Sequence, residues 1–159
     1  MRGLLAILRY AFISPEFLVC LSGLAVYNFF PGQLVWLSGR IGDQAELLKY
    51  LGLLPFGLVV YDSNAIKDIL MPHSDKKIVF QKWEFYSDIK SGCIVALLYA
   101  ALFGVVGLAC LLFDWKAPAA YQSGFLLASI AGALVVSASL YVTHIKIEEL
   151  FRQHSSQPS

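Results

Sequence analysis

The feature that most constrains this chain is the alternation of long uncharged apolar stretches with short charged segments. Residues 17–38, 93–113 and 121–143 contain no lysine, arginine, aspartate or glutamate. A helix of about 20 apolar residues crosses the hydrocarbon core of a bilayer, which is about 30 Å thick. Because all three stretches reach that length, the sequence predicts an all-α polytopic membrane protein surrounded by the lipid bilayer.

Composition and cysteine spacing exclude several classes of protein. Hydrophobic residues make up 58% of the chain and charged residues 14%, whereas soluble domains contain roughly half and a quarter. The net charge of +1 gives no field that would attract nucleic acid, so no nucleic-acid partner is expected. The three cysteines are widely spaced and lie in apolar stretches, which is typical of packing residues. We therefore expect no metal and no cofactor.

A fourth crossing is predicted at residues 46–61, although the stretch contains Gly52, Pro55 and Gly57. A re-entrant segment is the alternative for so short a run. Lysine and arginine gather on the cytoplasmic side of membrane proteins, and a full crossing places nine of them on one side and three on the other. We therefore expect both termini to be cytoplasmic. The four predicted transmembrane helices are residues 17–38, 46–61, 93–113 and 119–143.

The ends of the first span carry recognisable signals. Ser14, Pro15 and Glu16 have the pattern of an N-cap, a first helical residue and an acidic first turn. Pro31 and Gly32 predict a kink near the far end, which is tolerated in membranes where neighbouring helices satisfy the freed backbone groups. The first span is therefore expected to be a single kinked helix.

The segments outside the spans are predicted to be helical and cytoplasmic. Residues 2–14 have the pattern of an amphipathic helix lying on the headgroups, or of a simple lead into the first span. Residues 62–91 form the largest loop, which Pro72 divides into a short helix over 63–70 and a second amphipathic segment, and residues 144–159 form a tail. Such surfaces bind either headgroups or another protein. The predicted partner-binding residues are Lys77, Phe80, Lys82, Trp83, Tyr86, Phe151 and Arg152.

Two rows of small residues predict close helix packing. The first row is Ala96, Ala100 and Gly104, and the second is Gly124, Ala128 and Gly132. Small residues at every fourth position let the backbones of membrane helices approach closely. We expect the two rows to meet in the hairpin formed by the third and fourth spans. The alternative is a contact between subunits, and a homo-oligomer is expected.

Polar and catalytic signals inside the predicted spans are few. Asn28 and Ser137 are the intramembrane polar residues of interest, either in interhelical hydrogen bonds or in a pore lining. Ionisable residues are expected to be missing from the middle of the membrane, which disfavours a proton-coupled pump. The sequence contains no zinc-protease, nucleophile-elbow, phosphate-loop or dinucleotide motif, so enzyme activity is not expected.

These patterns favour a small, non-catalytic, oligomeric membrane subunit that recruits or restrains a cytosolic protein through its 62–91 loop and its tail. A channel or membrane-permeabilising effector is the first alternative. In size and four-span layout the chain resembles the small membrane subunits of bacterial phage-defence systems and the membrane-embedded bacteriocin-immunity proteins. That resemblance implies a bacterial inner membrane, and it makes a toxin-immunity protein the second alternative.

Overall fold

The computed structural model describes residues 14–71, 86–117 and 119–155, without the side chains of residues 45, 65, 68–70 and 150–155. These residues form five α-helices and no strand, which confirms the all-helical class for the described part of the chain. The helices are α1 Pro15–Phe29, α2 Pro31–Gly42, α3 Ala45–Leu70, α4 Tyr86–Cys110 and α5 Ala120–Ser155. The predicted amphipathic helix over residues 2–14 lies outside the described residues, apart from Ser14.

The start of α1 confirms the prediction from its sequence. The Ser14 hydroxyl accepts a hydrogen bond from the backbone N–H of Phe17 at 3.3 Å, and Pro15 occupies the first turn together with Glu16. A serine side chain in this position satisfies one of the N–H groups that the first turn leaves free. Proline fits there because its missing N–H has no partner in the first turn.

The first apolar stretch forms two helices instead of the single kinked helix expected for residues 17–38. α1 ends at Phe29, α2 begins at Pro31, and the two axes differ by 99°. The residue before a proline is disfavoured in the helical conformation, and proline provides no N–H to continue the hydrogen-bond ladder. Phe30 accordingly leaves the helical region, at φ −128° and ψ 43°. The sequence predicted a kink within one helix. The structure has a sharp turn that separates two helices, so the prediction of a single helix was wrong.

The bent helix α2 is held against α5. The Ser123 hydroxyl on α5 donates a hydrogen bond of 2.6 Å to the carbonyl oxygen of Leu34, and both residues are buried. Ser38 and Ile41 are buried on the same side of α2, while Trp36 is 64% exposed. The hydrogen bond and the buried face together fix α2 across the end of the bundle.

Helix α3 passes through its glycines and proline without a break. It runs for 26 residues from Ala45 to Leu70 with Pro55 in its interior, a length of about 39 Å at 1.5 Å per residue. The short helix expected over residues 63–70 is therefore the last part of α3. Residues 86–91 likewise belong to α4, so the predicted 62–91 loop is helical at both of its ends.

Gly52 and Pro55, which favoured a re-entrant segment as an alternative to a crossing, form the contact of α3 with α4. A Cβ atom placed on Gly107 of α4 would lie 2.9 Å from the carbonyl oxygen of Gly52 and 3.0 Å from Cγ of Pro55. Gly52 and Pro55 are both buried. Small residues allow two membrane helices to approach this closely. The contact therefore depends on the absence of a side chain at Gly107.

The connection between α4 and α5 is a compact turn organised by Gln122. Its side-chain amide donates to the carbonyl oxygens of Asp114 at 2.9 Å and Ala117 at 3.2 Å, and its oxygen accepts from the N–H of Ala119 at 2.9 Å. Gln122 is only 1% exposed. The buried amide thus satisfies backbone groups that the turn leaves without helical partners.

Two helices of the described structure are long and apolar enough to cross a bilayer, which indicates a membrane protein. They are Tyr86–Cys110 and the Ala120–Glu149 part of α5, and the bent pair α1 and α2 is a third candidate if the two helices act as one span. Helix α3 lies against both α4 and α5. Helices α1, α2 and α3 therefore all pack on the long hairpin of α4 and α5.

Replacing Gly107 with alanine is expected to destabilise the bundle by about 1–3 kcal/mol, because the new methyl group overlaps the α3 backbone. Gly92 on the same helix provides the matched control, since a Cβ there meets no atom within 4 Å. Thermal unfolding of the two purified variants in lipid nanodiscs measures the difference. Equal melting temperatures for Gly107→Ala and Gly92→Ala would contradict the close approach of α3 and α4.

Candidate functional site

A carboxylate buried between α3 and α5 is the most unusual chemical group in the described structure. Asp62 is 1% exposed, and its Oδ2 atom accepts a hydrogen bond of 2.9 Å from the hydroxyl of Ser137. The two residues are 75 positions apart in the chain. The packing of α3 on α5 therefore brings the two side chains together.

The pair lies at a depth that the sequence assigned to hydrocarbon. Ser137 falls within the uncharged run 121–143, six residues from its end, which is about 9 Å along a helix. Since Asp62 is hydrogen-bonded to Ser137, it lies at the same depth. Burying a lone aspartate in a membrane helix costs about 3 kcal/mol on insertion scales. Ser137 lies nearer to the end of this run than to its middle, so the prediction that the middle of the membrane lacks ionisable residues stays a prediction.

The surroundings of Asp62 on its own helix are apolar. Leu58 and Ile66 lie one turn away on either side, and both pack in the largest buried cluster. The other buried members of this cluster come from α4 and α5: Cys93, Ala96, Ala100, Phe103, Ala133, Val136, Leu140 and Ile147. Asp62 forms no ion pair with any described residue. The Ser137 hydroxyl is therefore the only polar group shown to contact it.

The sequence analysis missed Asp62 because the predicted second span ended one residue earlier, at Tyr61. The predicted boundary at residue 61 placed Asp62 first in the cytoplasmic loop, where a carboxylate needs no explanation. A signal was present, since residues 62–70 contain no glycine or proline that would end a helix after Tyr61. The same reasoning singled out Ser137 as a polar residue of interest, but it could not name the partner.

A second buried carboxylate belongs to Glu16, at the start of α1. Glu16 is 3% exposed and lines a cavity of about 520 Å³ between the start of α1 and the helices α4 and α5. Asp88, Ser139 and Thr143 line the same cavity. A carboxylate in the first turn of a helix is favoured by the helix dipole and by the free N–H groups there. The position of Glu16 therefore explains its burial without a ligand.

A second cavity, of about 480 Å³, lies between α1, α4 and α5 and is mostly apolar. Gly23, Tyr27, Phe103 and Phe125 are among the residues that line it. Apolar grooves between membrane helices are filled by lipid chains or by neighbouring helices, so this cavity does not point to a particular ligand.

The end of the bundle opposite the α4–α5 turn, named the inner end after the orientation expected from the sequence, combines a packed core with a charged surface. Ile66 and Ile147 are buried there, and Tyr86 and Ile89 pack against them. His144 and Glu148 form an ion-pair contact at 3.4 Å on α5, while Nδ1 of His144 is buried without a hydrogen-bond partner. The exposed charged residues at this end are Lys67, Asp88, Lys90, Lys146, Glu148 and Glu149.

The structure describes only part of the predicted partner-binding set. Lys77, Phe80, Lys82 and Trp83 lie outside the described residues. Tyr86 is partly buried against the core cluster, so much of its ring is engaged within the protein. The backbones of Phe151 and Arg152 belong to the last turns of α5, and their side chains are not described.

The first row of small residues contacts more than one neighbouring helix. Ala96 and Ala100 are buried in the cluster shared with α3 and α5. A Cβ on Gly104 would lie 2.9 Å from Val59 of α3. The row expected to face α5 therefore also faces α3, because α3 and α5 both pack on α4.

The second row, on α5, serves three different partners. Gly124 faces Leu34 of α2 and Tyr27 of α1, and Ala128 meets Gly23 of α1. Gly132 accommodates the ring of Phe103 from α4. Of the two glycines in this row, Gly132 faces α4 and Gly124 faces α1 and α2.

Asn28 lies on the exposed side of α1 and is bonded within its own helix. Its side-chain amide donates a hydrogen bond of 2.8 Å to the carbonyl oxygen of Leu24. The bond leaves Asn28 with no described link to a neighbouring helix.

No group of three or more histidine, cysteine, aspartate or glutamate side chains that could hold a metal ion occurs among residues 14–71, 86–117 and 119–155. Comparison with protein-family models, with curated proteins and with solved structures gives no match.

Replacing Ser137 with alanine is expected to destabilise the bundle by about 1–3 kcal/mol, because the buried Asp62 carboxylate loses its hydrogen-bond donor. The matched control is Ser139→Ala. Ser139 lies two residues further along α5 and lines the cavity that also contains Glu16, so this change should have little effect. Unfolding in nanodiscs, followed by near-UV circular dichroism, compares the two variants. A Ser137→Ala protein as stable as the Ser139→Ala protein would show that the hydrogen bond contributes nothing.

Proposed function

We propose that the chain is a small, non-catalytic, oligomeric membrane subunit with four crossings, whose inner end recruits or restrains a cytosolic protein. In this arrangement α1 with α2, α3, α4 and α5 provide the crossings, and both termini are cytoplasmic. The resemblance in layout to small bacterial phage-defence subunits makes a bacterial inner membrane the proposed location.

The length of α5 is the observation that carries this proposal. The helix continues for 36 residues to Ser155, whereas its uncharged run ends at Thr143. The remaining 12 residues extend about 18 Å past that point at 1.5 Å per residue. A continuous helix of this kind presents charged residues at a fixed distance from the bilayer, as a docking surface requires.

The crossing by α3 is supported by its length and by its neighbours. At about 39 Å the helix exceeds the hydrocarbon thickness of about 30 Å. It packs on α4 and α5 through its central part, from Gly52 beside Gly107 to Asp62 beside Ser137. Helices α4 and α5 themselves have the length and apolarity of spans. Packing of α3 against both of them favours a full crossing by α3 over a re-entrant segment.

The surface of the inner end suits a protein partner more than a lipid surface. Lys67, Lys90 and Lys146 are exposed there together with Asp88 and Glu149. Anionic headgroups are recognised by clusters of basic residues, whereas alternating charges give specificity and register in contacts between proteins. The mixed charge therefore favours a cytosolic protein.

The proposed topology predicts which positions an impermeant thiol reagent can reach on intact cells. A cysteine at exposed Lys116, in the turn between α4 and α5, is expected to react readily. A cysteine at exposed Lys67 is expected to react only after the cells are permeabilised, because both termini and this end of α3 are proposed to be cytoplasmic. Lys67→Cys reacting on intact cells would rule out the proposed orientation.

Recruitment of a partner is expected to depend on the inner end alone. In affinity purification from the native host with quantitative mass spectrometry, one soluble protein should co-purify with the wild type. Its recovery should fall strongly for Lys146→Glu and for Trp83→Ala, because the first reverses a docking charge and the second removes a predicted aromatic anchor. Lys116→Glu, on the opposite end of the bundle, is the control and should retain the partner. Equal recovery from all variants argues against recruitment at this surface.

A further inference from the structure

We propose that Asp62 and Ser137 form a proton-binding site within the membrane, reached from the inner end of the bundle. This site rests on the proposed crossing by α3, but it does not depend on the recruitment of a partner. Its ligand is the proton itself, and the chemical event is the formation or loss of one O–H bond on the Asp62 carboxyl group.

The hydrogen-bond arrangement is compatible with both states of the carboxyl group. Ser137 donates to Oδ2 of Asp62 at 2.9 Å. When a proton is bound on Oδ1, Oδ2 is a carbonyl oxygen and still accepts that hydrogen bond. When the proton leaves, the negative charge remains between α3 and α5 with this single donor. The two states therefore differ in charge and not in their partner.

Among the residues that the structure describes, no cation forms an ion pair that compensates the charge of Asp62. On α3 the residues one turn away are Leu58 and Ile66. The nearest cation along that helix, Lys67, is exposed to the exterior of the bundle. The structure shows no ion pair for Asp62 with any residue it describes, and Ser137 is its one side-chain hydrogen-bond partner. An aspartate without a cationic partner in such a setting exchanges a proton more readily than it carries a permanent charge.

The described titratable and charged groups on the helices that pack against α3 form no ion pair with Asp62. On α4, Cys93 is buried in the core cluster, Tyr86 and Tyr99 pack against that cluster, Cys110 is buried nearer the α4–α5 turn, and Asp88 and Lys90 are exposed. On α5, His144 is partly exposed, and the exposed groups are Tyr121, Tyr141, Lys146, Glu148 and Glu149. On α2, Arg40 lies near the opposite end of α3 and contacts Trp36. Asp62 is therefore the buried carboxylate of this interface, and the charged groups of the neighbouring helices lie at exposed positions.

His144 lies on the same face of α5 as Ser137, toward the inner end of the bundle. It follows Ser137 by seven residues, and residues seven apart share one face of a helix, separated by about 10 Å along the axis. Its Nδ1 atom is buried without a hydrogen-bond partner, while Nε2 contacts exposed Glu148 at 3.4 Å. The α5 face that carries Ser137 therefore continues to a polar side chain and an exposed carboxylate at the inner end.

Carbodiimide labelling tests this site, because these reagents react with protonated carboxyl groups. The full-length protein in lipid vesicles is treated with a membrane-soluble carbodiimide over a range of pH, and the modified residue is identified by mass spectrometry. Asp62 is expected to be labelled at low pH, with the yield falling steeply as pH rises. Ser137→Ala should move the fall to higher pH, since the anion loses its donor. A purely structural role for Ser137 would not move this profile.

Two controls make each outcome decisive. Asp62→Asn keeps the size and the acceptor of the side chain, and it should abolish the label at this position while leaving any label on Glu16 unchanged. A water-soluble carbodiimide should fail to label Asp62 in sealed vesicles. Labelling by the water-soluble reagent would place Asp62 outside the membrane and overturn both the site and the crossing by α3. Absence of any label at Asp62 with the membrane-soluble reagent, or a yield independent of pH, would overturn the proton-binding site alone.

Discussion

The packing of α3 on the α4 and α5 hairpin is the contact on which the other features of this structure depend. At one end it requires the bare backbone of Gly107 against Gly52 and Pro55. Further along, the same interface encloses Asp62 beside Ser137. A membrane provides little hydrophobic driving force between helices, so close backbone contact and interhelical hydrogen bonds have to supply the association. Both kinds of contact occur along α3.

The two halves of the bundle differ in the kind of polar group that they bury. Toward the α4–α5 turn, Ile41, Cys110, Trp115 and Leu126 form one buried cluster. The polar side chains buried near that cluster are uncharged, and Gln122 and Ser123 donate to backbone carbonyl oxygens. Toward the other end, two carboxylates are buried, and hydroxyl groups on α5 face both α3 and a cavity. Ionisable groups buried in membrane helices are costly and tend to have a role, so the two carboxylates distinguish this half.

Periodicity and composition were sufficient to predict the membrane class, the all-helical fold and the N-cap at Ser14. They failed where tertiary contacts decide the outcome. Gly52, Pro55 and Gly57 suggested a weak span because such residues often break helices, yet two of them pack tightly on α4. The boundary placed at residue 61 hid Asp62, because a single sequence shows the length of an apolar run and not the helix that continues beyond it. The 99° turn at Phe30 also exceeded what one proline predicts.

Helix α5 connects the buried pair to the charged end. Ser137 holds Asp62 on one face, and His144 lies two turns further along the same helix, where Glu148 is exposed. Since α5 is unbroken from Ala120 to Ser155, Ser137 and the exposed Lys146 belong to one continuous helix. Lys67 likewise follows Asp62 by five residues on α3 and is exposed. The proposed proton-binding site and the surface proposed to meet a cytosolic protein are therefore built on the same two helices, with no break in either helix between them.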